Sequence, residues 1–151
     1  MIKIITVGKL KEDYFRNATL EYLKRLSKYT KVDLIEVSDE NFDIQKTLEK
    51  ERDNILKHIS NKEYIITLEI EGKELTSTEL AAKLNNTFIQ KSDITFIIGG
   101  SYGLHEDIKK MSDYSLSFSR MTFPHQLFRV MLLEQLYRSY KILNNETYHK
   151  W

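Results

Sequence analysis

Apolar runs alternate with segments of helical spacing along the whole chain. Ile2 to Val7 (IKIITV) is a near-continuous β-branched run that stops at Gly8, and behind it Tyr14, Phe15, Ala18, Tyr22, Leu23 and Leu26 recur at helical intervals. A strand followed by a helix is expected. Val32 to Val37 (VDLIEV) predicts a second strand, and the polar stretch around Asp39 to Asp43 then leads into a charged helix ending near Ile59. Tyr64 to Ile70 (YIITLEI) predicts a third strand, closed by Gly72. Thr76 and Glu79 stand at the T-x-x-E spacing of a capping box, so a helix should begin there and carry LAAKLNNTF.

Ile94 to Ile98 (ITFII) predicts a fourth strand, and GGSYG, Gly99 to Gly103, follows it directly. A short helix near His105 to Met111, a fifth strand around Tyr114 to Phe118 and a last helix running to about Leu143 complete the pattern. The only proline, Pro124, falls at the first turn of that helix, where a missing N–H has no partner to lose. Strands that are apolar on both faces and separated by helices imply a mostly parallel sheet with helices on both faces, the α/β class.

Composition narrows the chemistry. A chain of 151 residues suits a single domain over residues 1–151, with enough length to bury a core without staples. There is no cysteine, which excludes disulfides, thiolate metal sites and cysteine nucleophiles. A formal net charge of +1 gives no general nucleic-acid footprint, although five Lys or Arg face two acids from Ser115 onward. The opening MIKIITVGKLKED turns charged too soon for a signal peptide, and no stretch approaches the ~20 apolar residues of a membrane span. A cytoplasmic protein without a membrane partner is expected. His58 and His105 lack partners at ligand spacing, so no metal is expected.

The glycine stretch fails two phosphate-binding patterns. No G-x-x-x-x-G-K-[ST] string exists, and Gly99, Gly100 and Gly103 neither match G-x-G-x-x-G nor open the first βα unit. A bare turn whose glycines supply positive φ is one reading. The other is a pocket, because Gly8, Gly72 and the Gly99 to Gly103 group all fall at the predicted C-terminal ends of strands, the edge on which open α/β sheets bind ligands. LSFSRMTF, Leu116 to Phe123, falls on the same edge and mixes Phe118, Met121 and Phe123 with small hydroxyl residues. That mixture suits a flat heteroaromatic ligand such as an adenosine without a phosphate tail.

The last helix is apolar around much of its circumference. Phe128, Leu132, Leu133, Leu136, Tyr140 and Leu143 share one face, and Leu127, Met131 and Ile142 call for a second partner, most simply another copy of the chain. Arg129 falls within the apolar face, where a guanidinium is costly unless it pairs with a buried carboxylate or reaches into a site as an anion clamp. The polar tail NNETYHKW is either a frayed end or, through its Tyr, His and Trp, a surface for stacking on unpaired RNA bases.

Taken together, Gly99 to Leu104, Leu116 to His125, Arg129 and the closing Tyr148-His149-Lys150 resemble the RlmH type of SPOUT methyltransferase. The likeness extends from IKIITVGKLK through ITLEIEGK to the last helix, while the chain runs on to Trp151, past the customary Tyr-His-Lys or Tyr-His-Arg ending. The resemblance implies a trefoil-knotted SPOUT fold and a homodimer through the C-terminal helix. It implies S-adenosylmethionine as cofactor, held by Leu68, Gly99, Phe118, Ser119, Arg120, Met121, Thr122 and Phe123. It implies methylation of N3 of a pseudouridine in bacterial 23S rRNA within the ribosome, with the tail helping to complete the active site. On that basis His149 is the expected general base or proton relay, Tyr148 positions the target base, and Arg129 or Arg138 holds phosphate or the developing anion. A SPOUT enzyme acting on another RNA such as tRNA, and a non-catalytic ribosome-binding protein, are the rival readings.

Overall fold

The computed structural model describes residues 1–150. Trp151, offered above for stacking on an RNA base, lies outside the described residues. The chain order is β1 (Ile2–Val7), α1 (Asp13–Leu26), β2 (Val32–Val37), α2 (Ile44–Leu56), β3 (Tyr64–Glu74), α3 (Ser77–Gln90), β4 (Ile94–Ile98), α4 (Glu106–Met111), β5 (Tyr114–Ser117) and α5 (His125–Leu143). The five strands form one sheet in the order β2-β1-β4-β3-β5, and every neighbouring pair is parallel. The expected α/β class is the observed one.

Alternation of side chains along the strands sends them into two apolar layers. On one face Ile2, Ile4, Ile66, Phe96 and Leu116 pack with Leu26 of α1, Leu80 and Leu84 of α3, and Leu132, Leu133 and Leu136 of α5. On the other, Ile5, Val7, Val37, Ile65 and Ile97 meet Ile55 of α2 and Ile108 of α4. All five residues of β4 are buried, as a central strand covered on both faces requires.

Local signals set the helix starts. Both hydrogen bonds of the Thr76–Glu79 capping box are formed. The Asp43 carboxylate caps α2 by accepting from the Lys46 N–H at 2.9 Å, and the Pro124 carbonyl accepts the Phe128 N–H at the head of α5. Some boundaries differ from expectation. The second helix stops at Leu56 rather than Ile59, because the His58 and Ile59 N–H groups turn back to the Ile55 and Leu56 carbonyls as a tighter final turn. The short helix begins at Glu106 with His105 as its cap, and the fifth strand ends at Ser117.

The largest difference concerns Gly72, which does not close β3. The strand runs through it to Glu74 after a register shift against β5 between Leu68 and Lys73. A Cβ at Gly72 would stand 2.7 Å from the Ser115 carbonyl oxygen, so glycine is required there by a close backbone approach.

Before β3, Glu63 is buried at 7 % exposure. It accepts from Lys3 Nζ at 2.8 Å, from the Ser60 N–H and hydroxyl, and from the Thr95 hydroxyl. Desolvation opposes its ionisation, but these donors outweigh that cost and hold its pKa at about 2. Because the folded pKa lies below the ordinary Glu value of about 4.3, the linked stability is present above that value and is lost as pH falls toward 2. Glu63→Gln should lower the unfolding free energy at pH 7 by about 3 kcal/mol, with the gap to wild type narrowing between about pH 5 and pH 2. Urea titrations at both ends of that range check it, and an equal loss at each would contradict it.

Candidate functional site

The C-terminal ends of β3, β4 and β5 converge on a cleft of about 410 Å³. β4 delivers Gly99 and Gly100 to its wall, and the chain then turns so tightly that the Gly103 N–H donates to the Gly100 carbonyl at 3.0 Å. Gly103 has φ +78°, in the left-handed region, and a Cβ on Gly99 would lie 2.6 Å from the Gly103 carbonyl oxygen. The turn therefore presents bare backbone to the cleft.

The facing wall is the segment after β5. The Ser117 hydroxyl donates to the Ser119 carbonyl at 3.0 Å, and the Ser119 hydroxyl accepts from the Met121 N–H at 3.0 Å. Phe118 and Phe123 pack against Phe128 of α5 with ring centroids 4.8 Å and 6.3 Å away. Seven of the eight expected cofactor contacts, Leu68, Gly99, Phe118, Ser119, Met121, Thr122 and Phe123, line this one cleft. Arg120 does not; it is exposed beside it.

Four titratable residues also line the cleft without having been singled out as contacts: Glu69, Glu71, Lys109 and His125. The Glu69 carboxylate is fixed by the Thr67 and Ser115 hydroxyls, each donating at 2.6 Å. Two acids at alternate positions at the end of an apolar strand were the available signal, but an exposed strand end reads the same way. Partial desolvation pushes the imidazole of His125, an exposed residue overall, below its ordinary pKa, which favours the neutral ring.

The glycines at the other strand ends do not share this site. Gly8, at φ +95°, offers its carbonyl to Arg129 Nη2 at 3.1 Å, and Gly72 belongs to the β3–β5 seam. Of the five glycines, Gly99, Gly100 and Gly103 line the cleft. Arg129 itself is 2 % exposed, and its Nη1 donates to Glu36 of β2 at 2.5 Å. Of the two alternatives weighed for it, pairing with a carboxylate is the one observed, although Glu36 is exposed rather than buried.

A second polar cluster forms where the tail folds back on α5. Arg138 donates to Glu134 through Nη2 at 2.6 Å, and the Tyr148 hydroxyl donates to the same carboxylate at 3.1 Å. The Arg138 guanidinium lies 4.7 Å from the centre of the Tyr148 ring, and its Nη1 is 3.2 Å from His149 Nδ1. Since the guanidinium can only donate, Nδ1 accepts and the proton of a neutral His149 ring resides on Nε2. That Nε2 is buried without a partner among the described residues. Burial and the Glu134 charge push the Tyr148 phenol up to about 12, so it remains a donor at neutral pH. Arg138 follows Phe128 by ten residues, about 15 Å along the helix at 1.5 Å per residue, so one chain holds cleft and tail cluster apart.

Among the described residues, no group of three or more His, Asp or Glu could hold a metal ion, and no helix is long and apolar enough to cross a membrane.

Residues 1–149 match the family model described as "Predicted SPOUT methyltransferase". Two relatives named "Putative ribosomal RNA large subunit methyltransferase H" are similar over 99% of this chain and 99% of their own length. The one from Methanococcus maripaludis is 57% identical, and the one from Methanococcus vannielii 53%. Among solved structures, "a probable methylase family protein" from Haemophilus influenzae Rd KW20 shares 15% identity at a TM-score of 0.58, covering 99% of this chain and 70% of that one. The tRNA (m1G37) methyltransferase from Aquifex aeolicus shares 15% at 0.54, covering 91% and 69%. These structural likenesses concern the fold alone.

The backbone approach at Gly99 makes a direct test of the cleft wall. Gly99→Ala forces the Gly103 carbonyl to move and should cost about 1–3 kcal/mol of unfolding free energy in urea titrations, the ordinary range for overpacking. A neutral substitution would show that the turn yields freely.

Proposed function

The chain belongs to the RlmH-type SPOUT methyltransferases, and on that premise we propose that it methylates N3 of a pseudouridine in large-subunit ribosomal RNA, using S-adenosylmethionine, on the assembled ribosome. The observation that carries this reading is the convergence of seven expected donor contacts on one cleft at the C-terminal strand edge. The chemistry of the lining fits the donor. Bare backbone at Gly99 and the Phe118 and Phe123 rings suit an adenosine, while Glu69 and Glu71 suit the sulfonium and ammonium charges and would repel a polyphosphate. Both named relatives come from archaea, so the proposal is not limited to bacterial ribosomes.

S-adenosylmethionine, when bound, supplies an electrophilic methyl group. The residues of this chain must hold the acceptor in line and manage the N3 proton and the anion its loss creates. His149 is the proton acceptor or relay in this reading, taking the N3 proton at Nδ1 when the contact from Arg138 there is released, and Tyr148, protonated throughout, positions the base. Arg138 stabilises the anion. Arg129 serves the fold, being committed to Glu36 and Gly8.

The separation of cleft and tail cluster along α5 supports a homodimer through this helix. A second copy packed on α5 in the opposite sense would bring its Tyr148 and His149 to the first cleft. Leu127 is exposed, and Met131 and Ile142 are half-buried, leaving α5 apolar surface for such a partner. The partnerless His149 Nε2 is the kind of buried group that a second chain or an RNA base would satisfy.

Transfer of labelled methyl from the donor should be seen with ribosomes or large subunits, and base mapping should place it on N3 of a pseudouridine. Transfer to tRNA instead would select the other SPOUT reading, and failure to bind S-adenosylhomocysteine in calorimetry would favour a non-catalytic ribosome-binding protein. His149→Ala should lower the single-turnover rate about 10²- to 10⁴-fold, the range of general-base catalysis, with S-adenosylhomocysteine affinity unchanged. An unchanged rate at saturating donor would remove His149 from its role.

A further inference from the structure

Glu51 of α2 is 4 % exposed, and among the described residues no cation acts on its carboxyl group. Its Oε2 accepts from the Glu40 N–H at 3.0 Å, and its Oε1 is buried with no partner. An ionised carboxylate in such a place is costly, and an unpartnered buried oxygen calls for an explanation. The carboxyl group lies directly behind Gly100. A Cβ there would stand 3.1 Å and 3.3 Å from its two oxygens and 3.0 Å from the Val7 side chain. Glu51 thus fills the space that a side chain at position 100 would take, while Gly100 lines the cleft.

We propose that Glu51 is a positioning residue for the cleft: its neutral carboxyl packs behind Gly100 and holds the Gly99–Gly103 turn in place, whereas its ionised form loosens that turn. The inference deepens the donor-binding reading above and rests on it only where a ligand is used. The charged groups acting on Glu51 are Asp39 and Glu40, from the loop after β2. The end of β1 offers Val7 and the turn after β4 offers Gly100, neither of which titrates. Burial first, then those two like charges, raise the Glu51 pKa, against the hydrogen bond from the Glu40 N–H. A held turn favours the protonated group, so the turn should loosen, and ligand affinity fall, as pH rises through the Glu51 pKa.

The Gly103 amide, bonded to the Gly100 carbonyl, is the reporter. Its hydrogen exchange is compared between wild type and Glu51→Gln, without ligand, at matched pH from about 4 to 8; matching cancels intrinsic exchange and His125. Protection should be most alike at the acid end, where Glu51 is protonated in held and released turns, and above the raised Glu51 pKa the wild type should exchange faster, about tenfold for each pKa unit separating the two. A constant ratio across the range would overturn the proposal. In the wild type alone, the Glu51 carboxyl carbon shift should titrate with a midpoint that saturating S-adenosylhomocysteine moves upward. A midpoint unmoved while the ligand binds also overturns it, whereas absence of binding counts against the proposed function and leaves the exchange comparison to decide this one.

Discussion

The parallel seam between β3 and β5 is the constraint on which the site depends. At that seam two backbones approach so closely that Gly72 has no room for a side chain, and the ladder slips its register between Leu68 and Lys73 to continue. Because β5 is only four residues long, the chain leaves it at once and enters Phe118 to Phe123 beside Leu68. A second close approach, Gly99 against Gly103, supplies the opposite wall. The cleft is thus a product of backbone packing, and side chains such as Phe118 and Phe123 finish a shape that glycine makes possible.

The placement of α5 follows from a different balance. A buried guanidinium must recover its hydration from fixed partners. Arg129 finds Glu36 on β2 and the Gly8 carbonyl at the end of β1, which ties the head of the helix to the sheet edge that carries the cleft. Leu132, Leu133 and Leu136 continue the attachment into the core, leaving Phe128 against the cleft and Arg138 near the tail. One rigid helix therefore separates the cleft from the tail cluster within a chain.

Polar groups in the molecule serve two distinct ends. Glu63 is surrounded by donors that hold its pKa low, whereas the pKa of Glu51, buried behind Gly100 with two acids nearby, is raised. Glu134 gathers Arg138 and Tyr148 and so sets the proton inventory of the tail: a phenol that stays protonated and a histidine whose Nδ1 is occupied.

Periodicity and capping chemistry made the strands and helices legible, since burial on one or two faces and the satisfaction of end groups are local demands. The T-x-x-E pair at Thr76 and Glu79 and Pro124 ahead of α5 needed no tertiary information. The motif residues also marked the cleft, because Gly99 and Phe118 to Phe123 carry chemistry recognisable in order along the chain. Tertiary structure alone decided that β4 lies at the centre, that Gly72 is a contact rather than a stop, and that Gly8 serves Arg129. It alone brought Glu69 and His125 to the cleft and chose a carboxylate partner for Arg129. These outcomes depend on which residues distant in sequence become neighbours, and a one-dimensional pattern records the need for a partner without recording which partner the packing supplies.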